Sequence, residues 1–247
     1  MKWIILAWGF WTRLYPTTKS VNKHLLPIYN KPMIYYPLET LIDSWINKII
    51  LITNPNNIEA FIKLLGSGEE FREKYNRPIQ IVYAVQSEPT WIADWLWIAR
   101  DFIGSDNCTL ILGDNLFENS AEIKTTVKNF QSWASIFLKE VSDPHRFWIA
   151  EIDKNYNVIS LEEKPKNPKS NYAVVWVYIY DNTCFQKCVD QPKSERWEYE
   201  ITYINDLFRK ENNLKATLIT GKWLDTGTYD SMLEASNFIF NKIKNGN

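Results

Sequence analysis

Four short apolar runs, Trp3–Ala7, Lys48–Thr53, Ile79–Ala84 and Thr109–Leu112, are separated by longer stretches with apolar residues at helical spacing, Pro37–Ser44, Ile58–Leu65 and Ile92–Phe102. The runs read as buried strands and the stretches between them as amphipathic helices. Strand and helix in alternation leave few folds open. Parallel strands joined by right-handed crossovers put helices on both faces and ligands at the carboxyl ends of the strands. The expected class is α/β, a Rossmann-like, mostly parallel mixed sheet flanked by helices. From Trp133 onward the strands come closer together, at Ser135–Glu140, Phe147–Ile152, Val158–Glu162 and Val174–Tyr180, with turns at Asp153–Asn157 and Lys166–Ser170. Helices resume at Thr183–Asp190, Ile201–Glu211 and Ser231–Lys244.

With 247 residues, 45% of them hydrophobic, the chain can bury about three-quarters of its unfolded surface as one domain with two lobes. A net charge of -1 supplies no basic stripe, which argues against nucleic acid and for small-molecule partners. Cys108, Cys184 and Cys188 make no even disulfide framework. The spacing of the last two has no histidine or further cysteine nearby to complete a zinc site, so they read as reduced thiols in a cytoplasmic protein. The apolar start Met1–Trp11 runs into Thr12-Arg13 without a small-residue cleavage site and reads as a first strand rather than a leader. No other apolar run approaches the roughly 18 residues of a spanning helix.

The first strand leads into Ala7-Trp8-Gly9-Phe10-Trp11-Thr12-Arg13-Leu14-Tyr15-Pro16, and Lys23-His24-Leu25-Leu26-Pro27 follows. A loop after a strand, carrying an arginine and then a lysine, can wrap a polyphosphate with backbone N–H groups and two cations. Taken alone, it is as readily a surface turn with solvated charges.

With Lys31-Pro32-Met33-Ile34-Tyr35-Tyr36-Pro37-Leu38 behind it, the run resembles the signature of the sugar-phosphate nucleotidyltransferases, and among them the bacterial thymidylyltransferases that act on glucose 1-phosphate. Their loop reads Gly-Gly-x-Gly-Thr-Arg-Leu-Tyr-Pro ahead of Lys-His-Leu-Leu-Pro. The resemblance continues to about Phe240, through Tyr83-Ala84-Val85-Gln86, Leu112-Gly113-Asp114-Asn115, Glu162-Glu163-Lys164-Pro165, Ser170-Asn171-Tyr172-Ala173 and Trp223-Leu224-Asp225-Thr226-Gly227-Thr228. Several motifs in order are more specific than any one.

The resemblance implies transfer of a nucleoside monophosphate from dTTP to glucose 1-phosphate, with Mg2+, giving dTDP-glucose and pyrophosphate. It implies one nucleotidyltransferase domain, a nucleotide-binding half at about residues 1–115 and a sugar-phosphate-binding half at about 116–247. Arg13 and Lys23 are its catalytic cations, and Asp114 and Asp225 its metal ligands. Trp8, Gly9, Trp11, Thr12, Gln86 and Trp91 fall on its nucleotide-binding positions; Asn115, Trp148, Glu163, Lys164 and Val174 fall on its sugar-phosphate positions. A homo-oligomer is the family habit, and deoxysugars for surface polysaccharide are the usual outlet. The chain ends soon after the Ser231–Lys244 helix, short of the extension that resembling enzymes use for an allosteric nucleotide site, which implies weak feedback control.

Each residue also has a chemical reading of its own. Asp114 follows a buried strand, where an oxygen ligand suits a hard cation, although an aspartate there serves as readily as a helix N-cap. Asp225 reads as a second carboxylate or a turn aspartate, Lys164 as a phosphate ligand or a solvated strand end, Gln86 as a reader of a pyrimidine edge or an ordinary loop residue. Neither His24 nor His145 lies in a pattern with a nucleophilic Ser or Cys. A sugar phosphate, with a second pKa near 6, is mostly dianionic at neutrality and needs no general base. Ile92-Ala93-Asp94 departs from the Leu-Ala-Gln usual in the thymidylyl group, and Tyr203 from an aspartate. UTP, CTP or another sugar phosphate therefore stays open, as does a non-catalytic nucleotide-sugar-binding regulatory homologue.

Eight glycines in 247 residues is about 3%, against about 7% in an average soluble protein, and tryptophan stands at twelve. Trp8, Trp11, Trp91, Trp148, Trp176 and Trp197 fall where the resembling motifs have glycine, and Trp3, Trp45, Trp95 and Trp133 at further candidate positions; Trp97 is ambiguous and Trp223 is a tryptophan of the family's own. Restoring ten would return glycine to about 7%. The expectation is a gene whose UGA codons mean glycine but were read as tryptophan. A phosphate loop calls for positive φ and close backbone approach, so the literal chain is expected to be impaired at Trp8 and Trp11, and at Trp148 on the sugar side.

Overall fold

The computed structural model describes residues 1–9, 12–87, 91–189 and 200–246, the side chains of 91–93 excepted. In chain order the elements are β1 (Lys2–Leu6), β2 (Pro27–Ile28), β3 (Lys31–Pro32), α1 (Tyr35–Asp43), β4 (Lys48–Thr53), α2 (Ile58–Leu65), α3 (Glu69–Tyr75), β5 (Gln80–Val85), α4 (Trp91–Ile103), β6 (Cys108–Leu112) and β7 (Asn115–Phe117). Then come α5 (Ala121–Asn129), β8 (Ala134–Glu140), β9 (Trp148–Ile152), β10 (Val158–Glu163), β11 (Tyr172–Tyr180), α6 (Cys184–Val189), α7 (Ile201–Lys210), β12 (Leu214–Leu218), β13 (Trp223–Asp225) and α8 (Tyr229–Lys244). Every expected strand and helix is present within two residues of its expected bounds, Asp190 lying outside the described residues.

Nine strands form one mixed sheet, in the order β10-β9-β11-β6-β1-β4-β5, with β8 paired to β11 and β12 to β8. β4 and β5 run parallel in the register Lys48 to Gln80, as the apolar run, helix, apolar run pattern requires. Among the later strands, β9 and β10 are antiparallel across the short turn Asp153–Asn157, and β8 pairs antiparallel with β11, which follows β10 in the chain. Asp153 holds its turn by accepting from the N–H groups of Asn155 and Asn157 at 2.8 and 2.9 Å.

The chain divides into two compact units of interleaved segments: Met1–Ile4, Thr90–Leu110 and Ala121–Thr220; and Ile5–Pro89, Ile111–Ser120 and Gly221–Asn247. In the first, Tyr178 and Tyr180 stack on one face of β11 and Tyr180 stacks on Phe208 of α7, its hydroxyl donating to Asn205 at 2.7 Å. Cys108, Cys184 and Cys188 are free thiols there. In the second, Ile28, Met33, Tyr36, Leu116, Leu224, Ala235 and Ile239 form a core under α8. A reciprocal cap between Thr228 and Ser231 starts that helix, each side chain accepting from the other's backbone N–H. Among the described residues no helix is long and apolar enough to cross a membrane.

The tryptophans fall into distinct environments. Trp45, 70% exposed, follows the C-cap of α1 with φ 67, and Trp133, 43% exposed, enters β8 with φ 81. Both are in the left-handed region that favours glycine, and the residue just past a helix C-cap is the usual place for it. Trp3 is fully buried in β1, its indole N–H without a partner among the described residues. Trp148 and Trp176 pack edge to face, ring centroids 5.8 Å apart. Trp11 and Trp197, and the side chain of Trp91, lie outside the described residues.

Candidate active site

The unit that includes Ile5–Pro89 brings Lys23 against Asp114, the residue two past the end of β6. A single turn of 3-10 helix, Lys23–Leu25, carries Lys23, only 5% exposed, into an ion pair with Asp114, which follows β6 and is itself 9% exposed. Burial alone would raise the Asp114 carboxyl, but the Lys23 ammonium and its hydrogen bond outweigh that and hold it below the usual carboxylate range. His24, next in sequence, is pushed down to about 3 by burial and then by Lys23, so it is neutral at physiological pH and no acid for catalysis.

This arrangement is braced by residues whose part is not legible in the motifs. Asn22, 2% exposed, donates to Ala7 O at 3.1 Å at the start of the loop and accepts from the His24 N–H at 3.0 Å, coupling loop to lysine turn. Thr53 also donates to Ala7 O, at 2.9 Å. Gly113 N–H donates to Leu6 O at 2.8 Å, and a Cβ there would meet His24 Cδ2 at 2.8 Å and Leu6 O at 2.9 Å, so only glycine fits beside the Asp114 turn. A side-chain oxygen just before a turn of helix is the one signal that could have singled out Asn22.

Asp225 ends β13, which pairs antiparallel with β7 so that Asp225 faces Asn115 in the register. Thr226, 1% exposed, donates its N–H and hydroxyl to Asp114 O at 3.1 and 2.7 Å. Asp114 and Asp225, 111 apart in sequence, are thereby linked through one ribbon. Their oxygens are the hard donors magnesium takes, and magnesium is commonly held by one or two carboxylates with substrate phosphates completing the shell, so this donor set fits the ion. Asn115, expected on the sugar phosphate, uses both ends of its amide here: Nδ2 donates to Asp114 at 3.0 Å, and Oδ1 accepts from the Trp223 indole at 2.6 Å.

Thr12 and Arg13 are exposed on the short helix Thr12–Leu14, anchored by fully buried Leu14. The Tyr229 hydroxyl at the start of α8 donates to Leu14 O at 2.7 Å. Gly9 has φ 149, a conformation that suits glycine. Trp8 does not share it: among the described residues it is absent from those of positive φ, so the expected strain argument fails at Trp8 and only crowding remains. Its indole N–H donates to Gln86 O at 2.9 Å, and Gln86, 3% exposed, follows β5.

The other unit holds the remaining sugar-side candidates, Trp148, Glu163, Lys164 and Val174, on or at the ends of three neighbouring strands. Glu163 at the end of β10 faces Trp148 at the start of β9, and Ala173, beside Val174 on β11, faces Ile149. Val174 is 3% exposed and faces Leu138 of β8, so its side chain belongs to the sheet's packing. Lys164 has a half-exposed side chain, 3.9 Å from Glu163, and φ 41, a strained conformation for a residue with a Cβ, held by its N–H bond to Phe147 O at 3.0 Å.

A family model described as Nucleotidyl transferase matches residues 2–242, and the chain belongs to that family. Its relatives narrow the class. Over 243 residues it is 43% identical to the glucose-1-phosphate thymidylyltransferase of Mycolicibacterium smegmatis, covering 97% of this chain and 82% of that protein. With the enzyme of the same name from Neisseria meningitidis the identity is 41% at the same coverage. Among solved structures, a Bacillus anthracis protein described as a glucose-1-phosphate thymidylyltransferase, in complex with a sucrose, superposes with a TM-score of 0.87 at 39% identity, covering 96% of this chain and 94% of that one. A UDP-glucose pyrophosphorylase with UDP-glucose, at 22% identity and a TM-score of 0.85, shares the fold.

Proposed function

We propose that the chain is a cytoplasmic glucose-1-phosphate thymidylyltransferase, working as a homo-oligomer. The sugar phosphate oxygen attacks the α-phosphorus of dTTP, a new P–O bond forms as the bond to the β-phosphate oxygen breaks, and dTDP-glucose and pyrophosphate leave. The attacking phosphate is already a dianion near neutrality, so no residue has to take a proton from it. The barrier is charge, and the protein's part is electrostatic and positional.

Arg13 and Lys23 bind the triphosphate and neutralise charge on the α-phosphate and departing pyrophosphate. Asp114 and Asp225 hold Mg2+, which when bound offsets phosphate charge. Glu163 and Lys164 bind the sugar phosphate, and Gln86 takes the base. The observation carrying this reading is the buried Lys23–Asp114 ion pair, tied through Thr226 to the strand that ends in Asp225. A buried cation paired with a buried carboxylate is a costly arrangement for packing alone. The test is pyrophosphate release from glucose 1-phosphate and Mg2+ with dTTP, UTP and CTP in turn, on this chain and on one with the ten candidate tryptophans returned to glycine. Fastest turnover with dTTP supports the proposal, a preference for UTP or CTP replaces the base, and no turnover in either protein overturns it.

A further inference from the structure

The end of β1 and the end of β5 are each pinned to the strand between them. Ala7 N–H donates to Ile52 O and Gln86 N–H to Thr53 O, both at 2.9 Å, and β4 lies between β1 and β5 in the sheet. From the β1 side, the Trp8 indole donates to Gln86 O on the β5 side. A side chain that leaves the end of β1 and bonds the backbone following β5 crosses the carboxyl end of β4. The crevice outside the carboxyl ends of such strands is where open α/β sheets take their ligands.

We propose that Trp8 is a strap across the nucleotide crevice: its indole occupies the volume beside Gln86 that a nucleoside base needs, and a nucleoside triphosphate binds only when the Trp8–Gln86 hydrogen bond opens. This rests on the nucleotide reading above. The strap is a side-chain device, since Trp8 has no left-handed backbone to relax. Opening it is a rotation about the side-chain bonds that gives up the hydrogen bond to Gln86 O together with the ring's other contacts and the cover of a half-buried ring. A site competent only in a minor open state shows its intrinsic dissociation constant divided by the open fraction, so an open fraction of about 0.1 weakens apparent affinity about tenfold.

The experiment is calorimetric titration of dTTP, without metal or sugar phosphate, into the unmodified chain, Trp8→Phe and Trp8→Gly, with a thermal melt of each. Trp8→Gly removes the strap and is expected to bind at least about tenfold more tightly. Trp8→Phe keeps the ring but loses the donor, and a gain of about two- to tenfold is expected, the scale of one hydrogen bond. Equal affinity in all three folded proteins overturns the strap while leaving the proposed function standing. If Trp8→Gly does not fold, Trp8→Phe decides: affinity at or below that of the unmodified chain overturns the strap. Binding of dTTP, UTP and CTP by none of the folded proteins overturns the strap and the nucleotide reading together.

Discussion

The two units hold charge in opposite ways. Around Lys23 and Asp114 everything is buried and interlocked: the lysine pairs with the aspartate, Asn115 and Thr226 bond the aspartate's side chain and backbone, and Asn22 fixes the turn. At the ends of β9, β10 and β11, Glu163 and Lys164 are partly to half exposed, their charges 3.9 Å apart in water. A desolvated charge cannot lose its partner cheaply, whereas a solvated one can. Charge in the first setting is therefore part of the fold as well as of the proposed chemistry, whereas in the second it can be altered at little cost to the fold.

Lys23→Ala is the substitution expected to do most. It strands Asp114 in a buried site, and breaking such a pair costs about 3–5 kcal/mol; turnover should fall by about 10²-fold or more as well. Arg13→Ala, on an exposed residue, should cost a similar factor in turnover while leaving the melting temperature within about a degree. Melting and pyrophosphate release on both variants check this. Equal destabilisation by the two would break the contrast between buried and exposed cations, and unimpaired turnover in Arg13→Ala would remove it from catalysis.

Lys164 sharpens the comparison from the exposed side. Lys164→Ala should raise KM for glucose 1-phosphate by about tenfold or more, the loss of one charged hydrogen bond at about 1.5–3 kcal/mol. Lys164→Gly should lose the same affinity yet melt higher than Lys164→Ala, because φ 41 costs a residue with a Cβ about 1–2 kcal/mol. Steady-state kinetics with the sugar phosphate varied, beside melts, separates the two. Should Lys164→Gly melt lower, the strain argument fails.

The buried cluster also predicts a pH dependence. His24 is depressed from 6.5 to about 3, so above pH 6.5 it is neutral folded or unfolded and neither helps nor hurts. As pH falls below 6.5, the unfolded chain takes up a proton that the folded chain refuses, and stability should drop by up to about 1.4 kcal/mol per pH unit until about pH 3. Asp114, held low, adds to the loss only below its ordinary value of 3.8. Denaturant titrations between pH 7 and 4.5 should show a slope that His24→Gln flattens. A slope unchanged in that variant would place the acid sensitivity elsewhere.

The alternating strands and helices were legible because each buried strand is a short apolar run and each helix has one apolar side. What lacked that contrast was missed: α5 buries only Ile123, and α3 only Phe71. The β7–β13 ribbon is three residues a side, too short for periodicity, and pairs segments more than 100 residues apart. Lys23, Asp114 and Asp225 stood out through motif order, but that Asn22 and Thr226 hold them together is tertiary information. The polar residue nearest in sequence gives no hint of which carbonyl it will reach.

The smallest expected effects fall on the tryptophans, and they test whether the two classes of environment are real. Trp45 and Trp133, 70% and 43% exposed, stand at φ 67 and 81, where a Cβ costs about 1–2 kcal/mol, more than is returned by the exposed cation–π contacts of the two rings, with Arg77 at 4.8 Å and Lys215 at 5.2 Å. The Trp133 backbone N–H also donates to the Asp181 carboxylate at 2.6 Å, a contact any residue but proline would keep. Trp45→Gly and Trp133→Gly are each expected to raise stability by about 1 kcal/mol in denaturant melts, the gain being somewhat less than the strain because glycine adds freedom to the unfolded chain. Trp223→Gly should do the reverse, since its indole holds the Asn115 oxygen at 2.6 Å and that asparagine in turn holds Asp114. Stabilisation at 45 and 133 with loss at 223 is the pattern of a chain whose glycine codons were read as tryptophan. Destabilisation at both positive-φ sites would show that the indoles hold those turns, and UGG codons there would end the decoding account outright.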